Sequence, residues 1–133
     1  VIDTNVLVAG MINPAGPPGR IVDLMRAGIL LPAVDDRILA EYGDVLRRPR
    51  LAPYFTASDI DAILEYLLYN GEHFLVTRQV TDLPDSGDVP FLEVAIAAGA
   101  PLVTGNAKHF PPKKRRGVAV ETPGTFIRRF EEP

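Results

Sequence analysis

Apolar residues along this chain fall in short runs separated by polar punctuation, and the period of each run predicts an element. Val1-Ile2 and Val6-Leu7-Val8-Ala9 flank Asp3-Thr4-Asn5, a pattern that reads as a buried strand interrupted by polar residues where it ends. Residues 13–19, NPAGPPG, predict a loop. A helix follows, with Pro17 or Pro18 in its first turn, Ile21, Val22, Leu24 and Met25 on its inner face, and Gly28 at its end. Residues 29–34 are apolar and short, hence a strand. Asp35 or Asp36 then caps a helix that ends before Pro49, with Ile38, Leu39, Tyr42, Val45 and Leu46 as its apolar stripe.

Residues 51–55 are a connector. Ser58 opens the next helix, with Asp61 completing a capping-box-like start and Gly71 closing it. Ile60, Ile63, Leu64, Leu67 and Leu68 form its core face. Phe74-Leu75-Val76 fits a strand or an irregular crossing, and residues 82–88, DLPDSGD, are a turn-rich loop. Val89 to Ala98 is apolar apart from Pro90 and Glu93, which predicts a helix buried nearly all round, with Pro90 in its first turn and Gly99 as its cap. Strands are expected at Leu102-Val103-Thr104 and Val118-Ala119-Val120, and Thr122-Pro123 starts a final helix. This alternation implies a three-layer α/β domain, with a mainly parallel central sheet and helices on both faces.

Composition narrows the picture. The chain has 133 residues, 47% hydrophobic and 23% charged, which suits a single globular domain over residues 1–133. It has no cysteine, so disulfides, thiolate metal sites and cysteine nucleophiles are excluded. No apolar run has the length of a membrane span and none resembles a signal peptide, so a cytoplasmic protein is expected. The chain opens on Val1 without a methionine, and native residues are expected ahead of it. A net charge of −3 argues against nonspecific coating of nucleic acid, but not against an enzyme with an acidic pocket and a local basic rim. Arg47, Arg48 and Arg50 read as a solvated face. The denser run Lys113, Lys114, Arg115 and Arg116 is the candidate for RNA contact.

Sites in open parallel sheets form at the carboxyl ends of strands. Asp3 and Asn5 end the first strand, Thr104 and Asn106 follow the strand at Leu102, and Asp88 stands at the entrance of the buried helix. A carboxylate among strand residues is costly unless a cation or several donors compensate it. Glu41 lies roughly 100° from the centre of its helix's apolar stripe and borders the core, whereas Asp44 points to solvent. Asp88 shares a helical face with Phe91 and Ala95, and serves equally as a helix cap. Glu93 points elsewhere, and Asp85 is an outer residue or another cap. Converging carboxylates favour a hard cation such as Mg²⁺ or Mn²⁺, which polarises a phosphoryl oxygen and activates water. Zinc fits less well, because His73 and His109 have no ligand spacing.

Several of these segments together resemble a known family. Ile2-Asp3-Thr4-Asn5-Val6-Leu7-Val8 resembles the opening motif of PIN-domain ribonucleases, and Leu39-Ala40-Glu41-Tyr42 their second acidic motif. Asp85-Ser-Gly-Asp88-Val-Pro-Phe91-Leu92-Glu93-Val94-Ala95 resembles the third, followed by Gly99-Ala100-Pro-Leu-Val103-Thr104-Gly105-Asn106. Val120-Glu-Thr-Pro123-Gly-Thr-Phe126 is similar to the family's last strand and helix. The branch most resembled is the toxin component of VapC-type toxin–antitoxin pairs. The resemblance implies Asp3, Glu41 and Asp88 as catalytic, metal-binding carboxylates, supported by Asn5 and Thr104. It implies Mg²⁺- or Mn²⁺-dependent cleavage of RNA, a homodimer and a cognate antitoxin. One departure stands out: where family members often carry a fourth acid, this chain has the neutral Asn106, which can still orient a ligand. That leaves a catalytically weak RNA- or protein-binding module as the alternative. A phosphatase of the haloacid dehalogenase type needs a second Asp where Asn5 stands.

Overall fold

The structure is a computed structural model and describes residues 1–132. Helices α1 (Thr4–Ile12), α2 (Pro17–Arg26), α3 (Asp36–Leu46), α4 (Ala57–Asn70), α5 (Val89–Ala98) and α6 (Pro123–Glu131) alternate with strands β1 (Ala33–Val34), β2 (Glu72–His73), β3 (Leu102–Val103) and β4 (Val120–Glu121). The α/β alternation is therefore as expected, but the element at the start of the chain is not. Residues 6–9, expected in a strand, lie inside α1. A short apolar run carries no period that separates a strand from a buried helix, and α1 buries Val6, Leu7 and Gly10 on successive turns. Ile2 is what remains of the strand: it bridges Val103 in parallel, and Asp3 N donates to Val103 O at 2.9 Å.

Local chemistry explains most boundaries. Pro17 stands at the start of α2 behind Gly16, and Asp35 caps α3 by accepting from Ile38 N at 2.9 Å. The start of α4 lies two residues earlier than Ser58 and Asp61 suggested. Thr56 and Asp59 form the capping box, each side chain accepting from the other's backbone N–H. Gly99 closes α5 in the left-handed region at φ 61°. At Gly10 the close approach of α1 and α2 leaves no room for a side chain: a Cβ there would stand 2.4 Å from Pro18 O.

Both strand pairs are parallel, with Ala33 opposite Glu72 and Leu102 opposite Val120. They are short, and they form two separate two-stranded pairs where one central sheet was expected. Helix caps and turns cut the ladders short: Asp35 starts α3 directly after β1, and residues 74–80 leave the ladder as an irregular segment. The core lies between these pairs and the helices. Tyr42 stacks obliquely on Phe91 with ring centroids 6.2 Å apart, and its buried hydroxyl donates to Ile2 O at 2.5 Å. Among the described residues no helix is long and apolar enough to cross a membrane.

Glu93, on α5, is 5% exposed and ties the irregular segment down. It accepts from Val80 N at 2.8 Å and from Arg37 Nη1 at 2.7 Å. Glu93→Ala removes the acceptor of a buried amide and one of the two carboxylates that hold Arg37, the other being Asp35. A loss of about 1–3 kcal/mol is expected in urea unfolding; a variant as stable as the parent would show that this tie contributes nothing.

Candidate metal centre

Asp3 is the N-cap of α1, with extended backbone. Its Oδ1 accepts from Thr4 N at 2.8 Å and its Oδ2 from Thr104 Oγ1 at 2.7 Å. Asp3 is 6% exposed and Thr104 fully buried. The side chain is thus fixed by the first turn of a helix and by the residue just past β3. Burial, its largest influence, raises the Asp3 pKa above the ordinary 3.8, and the Asp85 charge adds to the rise; the Thr104 and Thr4 hydrogen bonds and His109 oppose it.

Glu41 comes from the middle of α3 and is half-buried. The Thr4 hydroxyl donates to its Oε2, so one residue, Thr4, orders Asp3 through its amide and Glu41 through its side chain. Asn5 Oδ1 accepts from Gly105 N at 3.2 Å, holding the loop after β3 against the start of α1. Asn106 N donates to Thr104 Oγ1 at 3.0 Å.

Asp88 occupies the cap position of α5, but its side chain makes no capping hydrogen bond. Asp85 does the local capping, accepting from Gly87 N at 2.8 Å. Asp88 is 9% exposed, and its Oδ2 is buried with no hydrogen-bond partner. His109 Nδ1 stands 3.1 Å from that oxygen without the alignment of a hydrogen bond. Burial and the Asp3 charge, with Asp85 contributing, push the Asp88 pKa up to about 6, against the lowering effect of His109.

Asp3, Glu41, Asp88, Asn5 and Asn106 line one groove of about 490 Å³ together with Thr4 and His109. Thr104 lies behind Asp3, out of the groove. Lys113, Lys114, Arg115 and Arg116 are not among its lining residues; Arg48 and Arg50 are. Sequence reasoning passed over His109 as a ligand, yet Asp85, Asp88 and His109 each offer a ligand atom within 4.8 Å of the others. The residue spacing held no signal for it, because a short 3₁₀ turn at Ala107–His109 brings the ring onto Asp88.

The donor set fits a divalent cation. A buried carboxylate oxygen without a hydrogen bond is a costly group for a fold to keep, and here the charges of Asp3 and Asp85 raise the Asp88 pKa further. A cation supplies the missing counter-charge. Asp85, Asp88 and His109 offer ligand atoms close enough together to hold it, and Asp3 and Glu41 line the same groove.

Comparison with known proteins agrees with this geometry. The PIN-domain family matches residues 1–108, which include every carboxylate of the groove. An uncharacterized protein of the archaeon Methanocaldococcus jannaschii is 29% identical over 143 aligned positions, which cover 99% of this chain and 91% of that protein. No solved structure matches the chain. With four-fifths of its length matched, and with its three spaced carboxylates in one groove, the chain belongs to the PIN-domain family.

Proposed function

We propose that this protein is a Mg²⁺- or Mn²⁺-dependent endoribonuclease that hydrolyses RNA phosphodiester bonds at the groove formed by Asp3, Glu41 and Asp88. PIN domains are generally metal-dependent nucleases, and the observation that carries the reading here is the buried Oδ2 of Asp88, without a hydrogen bond, in a groove that Asp3 and Glu41 also line. When bound, the ion polarises a phosphoryl oxygen and lowers the pKa of water. The protein's own part is positioning. Thr4 and Thr104 lock the Asp3 carboxylate, Thr4 orients Glu41, and the Asp85-capped turn presents Asp88. Asn5 braces the loop that carries Asn106.

The motif resemblance supports a narrower reading: a cytoplasmic toxin component of the VapC type, acting as a homodimer and silenced by a cognate antitoxin over the groove. The same resemblance supports one domain over residues 1–133, with the two strand pairs as parts of one three-layer sheet. Incubation of the pure protein with defined RNAs and either ion tests the nuclease reading. Cleavage that EDTA stops is expected. Intact RNA with both ions would leave a binding module in its place.

Thr104→Val should lower kcat by about 10–100-fold, the usual cost of losing a group that orients a metal ligand. It removes one of the two donors to Asp3 and the acceptor of Asn106 N. Unchanged turnover would show that Thr4 alone suffices.

A further inference from the structure

The groove has more than an acidic floor. Helix α1 lines it with Val8, Ala9 and Ile12, and the turn after α3 lines it with Arg48 and Arg50. That turn is stiff. Pro49 separates the two arginines at the start of a 3₁₀ turn, Pro49–Leu51. Arg48 N donates to Val45 O at 3.1 Å and Leu51 N to Arg48 O at 2.9 Å. Leu51 is 4% exposed and pins the turn to the core.

Neither guanidinium is committed to the fold. Arg48 has Asp44 at 3.5 Å, across side chains 50% and 75% exposed, a pair too wet and too long to hold it. Arg50 makes no ion pair among the described residues. The run at 113–116 is placed differently. Arg115 donates to Phe110 O at 2.6 Å, and Arg116 to Lys114 O at 2.8 Å and to Asp82 Oδ1 at 2.7 Å. Those guanidinium groups hold loops together and do not line the groove.

An acidic floor repels a polyanion, so a substrate strand needs cations beside the floor that the floor itself does not neutralise. Arg48 and Arg50 meet that condition: they are exposed, carried on a backbone fixed by the 3₁₀ turn, and they line the groove together with Glu41. We propose that Arg48 and Arg50 are the positioning residues that hold the RNA backbone at this site, by its phosphates next to the one above the carboxylates. The assignment rests on the ribonuclease reading and adds to it the residues that grip the substrate.

The test is binding of a 5′-labelled single-stranded oligoribonucleotide to the full chain carrying Asp3→Asn, followed by fluorescence anisotropy across a salt series with Mg²⁺. Cleavage by the Asp3 parent is measured alongside. Arg48→Ala with Arg50→Ala should raise Kd by about 10–100-fold and flatten the slope of log K on log salt by roughly 1.4, two single-strand phosphate contacts. In cleavage, the loss should appear in KM with kcat little changed. Arg48→Lys with Arg50→Lys should keep most of the slope. An alanine pair with the parent's Kd and slope would overturn the assignment, as would the same loss arising from Lys113→Ala with Lys114→Ala. If the parent cleaves RNA and the alanine pair is indistinguishable from it, this inference alone fails. If the parent neither binds nor cleaves RNA, the nuclease reading fails and takes the inference with it.

Discussion

Asp3→Asn is expected to abolish RNA cleavage, by on the order of a thousandfold or more, while the protein keeps its fold and its thermal midpoint. The loss corresponds to about 4 kcal/mol of barrier, because the substitution removes the charge from the best-ordered carboxylate of the groove. The fold should survive for three reasons. Asn caps a helix about as well as Asp, so Thr4 N keeps its acceptor. The Thr104 hydroxyl, which now donates to Oδ2, rotates to accept from the new amide. The backbone bond from Asp3 N to Val103 O is untouched. Kinetics with a defined RNA, beside circular dichroism melts, check both halves. A variant that cuts RNA as fast as the parent would remove Asp3 from the site. Equal melting with no cleavage separates chemistry from scaffold.

Asp88→Asn should do something less usual: destroy activity and stabilise the metal-free protein. The folded carboxyl ionises near pH 6, whereas the unfolded one ionises near its ordinary 3.8. Between those values the unfolded chain has released its proton and the folded one has not. The unfolded state binds fewer protons there, so stability falls as pH rises from about 4 to 6 and then levels off. An amide has no such penalty. With screening at the groove mouth the gain is about 1 kcal/mol at pH 7, a rise of about 3–5 °C in the melting midpoint. Saturating Mg²⁺ or Mn²⁺ should raise the parent's midpoint, since the ion binds the folded state alone, and should do little for the variant. Differential scanning calorimetry in EDTA and in each ion, at pH 4.5 and 7.5, decides it. A variant that melts below the parent in EDTA at pH 7.5 would mean that the contact with His109, 3.1 Å away, stabilises Asp88 by more than burial costs it.

The sequence made the carboxylates legible for a physical reason. Asp3, Glu41 and Asp88 each sit where a run of buried positions meets a polar boundary, and helical spacing orients the second and third. Asp35, Pro17, Gly99 and Thr122 mark helix ends for equally local reasons. What local pattern cannot carry is long-range placement. Val6 to Ala9 fits a buried helix as well as a strand, and the choice fell to the packing of α1 on α2. His109 becomes a neighbour of Asp88 only through a 3₁₀ turn with no sequence signature. By density of charge alone, the basic run Lys113 to Arg116 stands out from the sparser Arg47, Arg48 and Arg50. In the fold, Arg115 and Arg116 of that run are spent on loop closure, and the sparser pair lies along the groove.

The bond between Asp3 and Val103 has a consequence for synthesis. The groove joins residues about a hundred positions apart, and closing so long a loop comes late because its entropy is lost before its contacts form. A growing chain that has emerged only as far as α4 already exposes Asp3 and Glu41, yet lacks Thr104 to seat the first and Asp88 to complete the set. On the nuclease reading, a chain still being made carries only an incomplete groove: the topology of the site acts as its own timer.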